Sequence, residues 1–122
     1  VVRSRGLGDV YKRQTLHNGE NKVDFTHRDD AADGIIRAAN SDVANTSLNI
    51  TAGNASSLRT LAETIIDITG SESEINDIGM QSLYPMRGTL DISRAKDLLE
   101  YVPTVSFRQG LESYYDWLQN KI

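Results

Sequence analysis

The sequence has no cysteine and only two histidines, and these shortages exclude several kinds of chemistry. Without cysteine the chain can form no disulfide, no thiolate nucleophile and no cysteine-ligated metal site. The two histidines, His17 and His27, are ten residues apart, which is not a spacing that pairs side chains on one helix face. The sequence therefore predicts no metal site.

Long apolar stretches are also missing. The apolar runs are only a few residues long, whereas a membrane-spanning helix needs roughly 20 apolar residues. The opening residues likewise lack the apolar centre of a secretory signal. We therefore expect a soluble, cytoplasmic protein without a membrane partner.

Basic residues are scarce outside the first 14 residues of the chain. The whole sequence carries 13 Lys and Arg against 17 Asp and Glu, for a formal charge of −4. The opening segment holds four of the basic residues and a single aspartate, so the remainder is more acidic than the total indicates. An acidic surface repels phosphate backbones. We therefore expect no nucleic-acid partner.

Residues 1–14 show neither helical nor strand periodicity. Their sequence, VVRSRGLGDVYKRQ, resembles the translated adapter sequence that recurs at the start of reading frames assembled from environmental (metagenomic) DNA. We predict that residues 1–14 are a non-native or disordered leader and that residues 15–122 form the folded body; a native basic tail is the alternative. Gly6 and Gly8 do not open a dinucleotide-binding loop, because Tyr11 stands at the third glycine position and no strand precedes them.

Apolar residues recur at helical spacing in four stretches of the body, each preceded by residues that can cap a helix. The capping residues are Thr26 or Asp29, Ser57, Asp91 or Ser93, and Ser106 with Gln109. Strand-like patterns at 47–51 and 74–78, and an extended piece at 24–26, alternate with these helices. The alternation predicts an α/β layer architecture.

Four segments, in order, resemble the C-terminal part of the extended short-chain dehydrogenase/reductases, the NAD-dependent nucleotide-sugar epimerase and dehydratase family to which UDP-glucose 4-epimerase belongs. They read DFTHRDDAADG at 24–34, LNITAG at 48–53 with SLRTLA at 57–62, RGTLDISRAK at 87–96, and LLEYVP at 98–103 with SF at 106–107 and GL at 110–111. The order and spacing of the segments carry the resemblance, which spans about residues 19–118. Glu100 stands where the family has a glycine that ends a helix in the left-handed conformation, at a cost of roughly 1 kcal/mol.

The resemblance implies the C-terminal substrate-binding portion of an extended Rossmann-type enzyme, with the cofactor-binding part missing. The complete parent would be an NAD-dependent nucleotide-sugar epimerase, an isomerase, with dehydratase and decarboxylase as near alternatives. Its partner would be a nucleotide-sugar substrate, and it would form a homodimer through the missing domain. Two other hypotheses for the function remain. One is a non-catalytic sugar-nucleotide sensor of the same fold, and the other is a small independent interaction domain.

The catalytic residues of the family are not found in this sequence. Family members use a tyrosine whose pKa is lowered by a lysine four residues further on, and none of the five tyrosines here has such a lysine. The glycine-rich cofactor loop is also absent. We therefore expect no catalytic residue in this chain, no activity of the chain alone and no NAD bound by it.

The resemblance implies three substrate-binding residues. Arg87 is the candidate for the nucleotide diphosphate, because a guanidinium can pair bidentately with phosphate oxygens; a solvated loop arginine is the alternative. Phe25 and Leu58 match positions that line the base and ribose, with ordinary packing as their alternative. Val23 replaces an arginine of the family that would supply a second phosphate contact, so this contact is either lost or supplied by another cation, for which Lys22 and Arg28 are the candidates. Asp30 is interpreted as a helix-start residue. The aromatic residues of the last helix, Tyr114, Tyr115 and Trp117, are interpreted as packing and surface residues.

Overall fold

The computed structural model describes residues 13–80, 85 and 87–121. These residues fall into two compact units: the first comprises the described parts of Val1–Asn21 and Ser57–Met86, the second those of Lys22–Ser56 and Arg87–Ile122. The elements of the described chain are β1 (Arg13–Leu16), β2 (Lys22–Val23), α1 (Arg28–Ala39), β3 (Ser56–Ser57), α2 (Leu58–Thr69), β4 (Glu74–Asp77), α3 (Ser93–Leu99) and α4 (Phe107–Lys121). Strand β2 pairs with β3.

The first unit is built on a parallel pair of strands. Strand β1 pairs with β4 in a register that aligns Arg13 with Glu74 and Leu16 with Asp77. Parallel strands require a crossover, and α2 precedes β4 directly. The strand predicted at 74–78 is therefore confirmed as β4. Strand β1 begins at Arg13, two residues before the predicted start of the body.

Helix α2 has the ends that its sequence predicts. The Ser57 Oγ accepts a hydrogen bond from the Thr60 N–H at 3.0 Å, which satisfies one of the free donors of the first turn. Gly70 ends the helix in the left-handed conformation, with φ of 65°. None of the α2 residues is fully buried.

Charged side chains tie α2 to the end of β4 within the first unit. The Arg59 guanidinium forms an ion pair with the Asp77 carboxylate, whose other oxygen accepts the Gly79 N–H at 2.9 Å. A second acidic partner of Arg59 is Glu20, at 3.6 Å between Nε and Oε1. Ion pairs of Arg59 therefore join the start of α2 to the end of β4 and to Glu20 in the first unit.

The second unit contains the fully buried apolar residues of the described chain. Ala95 and Leu99 of α3 pack with Tyr101, and the exposed fractions of these residues are 0%, 6% and 0%. Partly buried residues surround this core; they are Val43, Leu48, Ile50 and Ile92. The Tyr101 hydroxyl donates to the Thr51 carbonyl at 2.9 Å, so its one polar group is satisfied inside the core.

Helix α1 packs against α3 and also satisfies its C-terminal carbonyl groups. The Arg37 guanidinium of α1 donates to the carbonyls of Leu99 and Glu100 at 3.3 and 3.1 Å. Glu100 has φ of 54°, so the expected left-handed residue at the end of α3 is confirmed. A cation at this helix end also opposes the negative pole of the helix dipole.

Close backbone packing next to α1 explains a glycine inside the helix. Gly34 is buried, and a Cβ at this position would collide with the side chain of Ile50. Glycine inside a helix costs about 0.5–1 kcal/mol relative to alanine. The close approach of the Ile50 segment offsets that cost.

The strand predicted at 47–51 and the extended piece at 24–26 do not form a regular ladder in the described chain. Side chains join the two segments instead: the Thr51 Oγ1 donates to the Asp24 carboxylate at 3.0 Å, and the Ala52 N–H donates to the Thr26 Oγ1 at 3.1 Å. Asp24 also accepts the Leu90 N–H at 3.2 Å. The strand predicted at 47–51 is therefore wrong. The alternating pattern does predict correctly that one side of the segment packs against the core, since Leu48 and Ile50 lie there.

Candidate functional site

A cleft of about 350 Å³ lies within the second unit, between the chain that enters α1 and one side of α4. We call it the α4 cleft. Its walls are mainly apolar and aromatic, with a few polar groups. The lining residues from the α1 side are Phe25, Thr26, His27 and Arg28, and those from the α4 side include Val105, Ser106, Phe107, Gly110, Leu111, Ser113, Tyr114 and Trp117. This volume and lining are typical of small-molecule sites.

The α1 side of the cleft is positioned by His27. Its Nδ1 accepts the Asp29 N–H at 3.2 Å and so caps the helix. The predicted caps Thr26 and Asp29 are therefore wrong, because the Thr26 hydroxyl is engaged with Ala52. The His27 ring faces α4 at Gly110, where a Cβ would lie 3.4 Å from His27 Cδ2. The absence of a side chain at Gly110 lets the helix approach the imidazole closely.

Two phenylalanine rings form the inner wall of the α4 cleft. The ring centroids of Phe25 and Phe107 are 5.4 Å apart with an interplanar angle of 45°, within the range of favourable aromatic pairs. Phe107 begins α4 directly after Ser106, whose Oγ accepts the Gln109 N–H at 3.2 Å while Gln109 Oε1 accepts the Ser106 N–H at 3.0 Å. The predicted capping box is confirmed. It fixes the direction in which α4 leaves this wall.

Asp30 lies behind the wall and has a second role besides the helix-start position that the sequence predicted. Its exposed fraction is only 3%. The Thr104 N–H and hydroxyl donate to Oδ1 at 2.8 and 3.1 Å, and the Val105 N–H donates to Oδ2 at 3.0 Å. Burial raises the pKa of the Asp30 carboxyl, but these hydrogen bonds and the neighbouring His27 lower it more, so the pKa lies below its ordinary value. Asp30 is thus an ionised anchor for a distant loop as well as a helix-start residue.

Stacked aromatic rings form the outer rim of the cleft. Tyr114 and Trp117 lie one turn apart on α4, with ring centroids 5.9 Å apart and an interplanar angle of 15°. The Lys121 Nζ lies 5.7 Å from the Trp117 centroid, a cation–π geometry. Both rings are about half exposed, at 58% and 45%. From the sequence we interpreted Tyr114 and Trp117 as packing and surface residues. Their spacing of three residues indicates that they share one face of α4.

The three predicted substrate-binding residues lie in different places. Phe25 lines the α4 cleft. Arg87 belongs to the second unit and is exposed, but it does not line the cleft, and no ion pair or hydrogen bond joins it to any described residue. Leu58 is half-buried at the start of α2 in the first unit, where its N–H donates to the Asn21 carbonyl at 2.9 Å. Val23, at the position of the missing arginine, is 37% exposed in β2.

The described part of the chain shows neither a metal site nor a membrane-spanning helix. No group of three or more His, Asp or Glu side chains there could hold a metal ion. Among the described residues no helix is both long enough and apolar enough to cross a bilayer.

Comparison with known proteins relates the chain to nucleotide-sugar enzymes. No protein-family model matches it. It is 30% identical over 109 residues to an uncharacterised protein of Methanocaldococcus jannaschii, a match that covers 88% of this chain and 33% of that protein. It is 27% identical over 101 residues to UDP-N-acetyl-α-D-glucosaminuronate decarboxylase of Bacillus cytotoxicus, covering 78% of this chain and 32% of the relative.

A solved structure gives the same picture. UDP-glucuronic acid 4-epimerase of Bacillus cereus, solved with UDP-glucuronic acid and NAD, matches with 29% identity and a TM-score of 0.75. The match covers 88% of this chain and 35% of the epimerase. The chain thus spans about a third of the length of the proteins that it matches.

These similarities establish the fold of the chain. The chain has the mixed helix and strand fold of the C-terminal part of the extended Rossmann-type epimerases. Within that fold class, the chain resembles the C-terminal part of the extended short-chain dehydrogenase/reductases, the family of NAD-dependent nucleotide-sugar epimerases and dehydratases.

Proposed function

We propose that this chain supplies part of the nucleotide-sugar pocket of an NAD-dependent nucleotide-sugar epimerase. The observation that carries the proposal is the position of Phe25, the residue predicted to lie beside the base and ribose, in the wall of a cleft of ligand-binding size. Relatives that act on UDP-sugars support the substrate class. One of these relatives is a decarboxylase, so decarboxylation is an alternative reaction of the complete protein. Dehydration is the other alternative.

Arg87 is the residue that we assign to the nucleotide diphosphate. Its side chain is exposed and forms no ion pair with the described residues, so a ligand would not have to displace an acidic partner. A guanidinium presents a planar pair of donors that matches two phosphate oxygens, which an ammonium group cannot do. Because Val23 stands where the family has a second arginine, we expect Arg87 to contribute more to binding here than in a relative that has both arginines.

Phe25 and Leu58 are assigned to the base and the ribose. The face of the Phe25 ring that turns away from Phe107 could stack on a planar base, since aromatic rings stack on any base. Leu58 would contribute apolar contact with the ribose. These side chains bind and orient the substrate and exclude water from it, and none of them transfers a proton.

The hydride and proton transfers belong to the part of the parent protein outside this chain. NAD supplies the hydride chemistry in this family, and the tyrosine and lysine that move the proton have no counterpart in this sequence. We therefore propose that the 122-residue chain alone is inactive and does not bind NAD, and that the parent is a cytoplasmic homodimer joined through its cofactor domain.

Calorimetric titration of the chain with UDP-glucuronic acid and, separately, with NAD tests the proposal. We expect saturable binding of UDP-glucuronic acid and no heat of binding with NAD. Because loss of the remaining pocket weakens binding, the titration should extend to millimolar ligand, where a Kd corresponds to about −4 kcal/mol. Binding of NAD, or failure to bind UDP-glucuronic acid at millimolar concentration, would contradict the assignment.

A sugar-nucleotide sensor without catalytic activity is the second candidate. The observation in its favour is Val23, because loss of one phosphate contact is easier to tolerate in a protein that need not hold its substrate for catalysis. The upstream reading frame distinguishes the two: an intact glycine-rich loop and a tyrosine with lysine four residues later would indicate an enzyme.

A further inference from the structure

The Asp30 carboxylate joins two parts of the second unit that are far apart in sequence. It sits in the first turn of α1, and its three hydrogen-bond donors come from Thr104 and Val105, more than 70 residues later. An acidic residue that only interacted with the helix dipole would gain nothing from burial, since its charge is better solvated at the surface. The neighbouring Asp29 has such an exposed position, with 70% of its side chain accessible.

The loop that Asp30 holds leads directly into the α4 wall of the cleft. Val105 lines the cleft itself, Ser106 caps α4, and Phe107 packs on Phe25 at 5.4 Å. No hydrogen bond crosses between the two phenylalanine rings, so their contact fixes the distance between the walls only weakly. The hydrogen bonds to Asp30 are directional and charge-assisted, and they set the position of the loop.

We propose that Asp30 is a positioning residue, which holds the start of α4 against Phe25 and thereby sets the affinity of the α4 cleft for its ligand. The ligand part of this proposal rests on the proposed function. Asp30 itself does not reach the ligand, because its carboxylate is buried and its bonds go to Thr104 and Val105. It acts through the loop and through Phe107.

Trp117 provides the test, because it is the only tryptophan of the chain and it lines the α4 cleft. The variant Asp30→Asn keeps the shape of the side chain, but it removes the charge and replaces one acceptor with a donor that would face an N–H group. The matched control is Asp33→Asn, which removes the same charge one turn along α1, where the carboxylate pairs with Arg37 at 2.7 Å at the surface.

Two measurements should be made on variants that retain the far-ultraviolet circular dichroism of the unmodified chain. The first is acrylamide quenching and emission wavelength of Trp117; the second is fluorescence titration with UDP. For Asp30→Asn we expect increased quenching, a red-shifted emission and a Kd for UDP raised by about tenfold, because the start of α4 is no longer held against Phe25. For Asp33→Asn both readouts should stay within about twofold of the unmodified chain.

Unchanged Trp117 quenching in folded Asp30→Asn would overturn the proposal. So would increased quenching with an unchanged Kd, because Asp30 would then have a purely structural role. If Asp30→Asn does not fold, Thr104→Val removes one of the three hydrogen bonds and should shift both readouts in the same direction by a smaller factor; no shift would again overturn the proposal. If the unmodified chain fails to bind UDP, the proposed function fails, while the quenching comparison still decides whether Asp30 positions the wall.

Discussion

The two units of the chain are stabilised in different ways. In the second unit, Ala95, Leu99 and Tyr101 are almost completely buried, and hydrogen bonds such as that of Asp30 fasten distant loops to this core. In the first unit, the described residues that are buried include the polar Asn18 and Asn21, and α2 has no buried residue at all. The α4 cleft therefore lies on the unit with the apolar core.

The difference has a physical consequence for the site. Burial of apolar surface contributes about 25 cal/mol per Å², so a unit with fully buried side chains opens less readily than one whose helix has no buried residue and is joined by partly exposed ion pairs. We expect amide hydrogen exchange to be slower in α1 and α3 than in α2. A binding site needs walls that keep their distance, and the second unit supplies them.

Removing the largest side chain of the core should have the largest effect. Tyr101 has no exposed surface, and Tyr101→Ala should lower the free energy of unfolding by about 3–5 kcal/mol, the cost of deleting a buried aromatic ring. Urea denaturation measures the loss, and hydrogen exchange should show that α1 and α3 lose more protection than α2. The control Tyr114→Ala, at a half-exposed ring, should cost far less. Equal losses from the two variants would contradict the account of the core.

The second effect in size depends on pH. Because the pKa of Asp30 is lowered in the folded chain, its ionised form contributes stability that is present above the ordinary pKa and is lost as pH falls through the folded pKa. At pH 7, Asp30→Asn should lower the free energy of unfolding by about 1.5–3 kcal/mol. Denaturation at pH 7 and near pH 3 should show this difference shrinking at the lower pH. If the loss of unfolding free energy in Asp30→Asn were larger near pH 3 than at pH 7, the pKa of Asp30 would have to be raised in the folded chain, which would contradict this account.

A smaller loss is expected from a single added methyl group in α1. Gly34→Ala brings a Cβ into the side chain of Ile50, and overpacking costs about 1–3 kcal/mol. Alanine recovers about 0.5–1 kcal/mol of helix propensity, so the net loss should be about 0–2.5 kcal/mol, with a midpoint of about 1 kcal/mol. The matched control is Gly70→Ala at an open helix end, where no atom lies near the added Cβ and only the left-handed backbone is strained. A stabilised Gly34→Ala variant would show that the Ile50 segment moves aside freely.

The smallest effect should come from the first unit. Ser57→Ala removes the hydrogen bond from the Thr60 N–H and should cost about 1 kcal/mol. Hydrogen exchange should become faster in α2 while α1 and α3 stay unchanged. Faster exchange in all three helices would mean that the two units unfold together, and the contrast between them would then be lost.

Local signals explain which parts of the fold could be predicted from the sequence. The ends of α2 and α4 depend on residues within one turn, such as Ser57 and the pair Ser106 and Gln109, and both predictions are confirmed. The strand at 47–51 was wrong because its alternating pattern shows that one side is buried but does not show whether a neighbouring strand pairs with it. Non-local contacts decide that.

The same reasoning applies to the candidate site. Phe25 was predicted from its segment and lies in the cleft. The buried role of Asp30 could not be predicted, because all of its donors lie more than 70 residues further along the chain and nothing in the local pattern distinguishes it from Asp29. Tyr114 and Trp117 were interpreted as packing and surface residues, and their position in the cleft could not be predicted because only the folded chain brings α4 beside Phe25.

The central claim, that this chain binds the diphosphate of a nucleotide-sugar, is tested most directly by Arg87. UDP affinity should be measured for the unmodified chain, Arg87→Ala, Val23→Arg and the double variant, with Lys96→Ala as a control for the loss of one positive charge. We expect Arg87→Ala to weaken binding by about 1.5–3 kcal/mol, Val23→Arg to strengthen it and partly restore the double variant, and Lys96→Ala to change little. Unchanged UDP affinity in Arg87→Ala would contradict the claim.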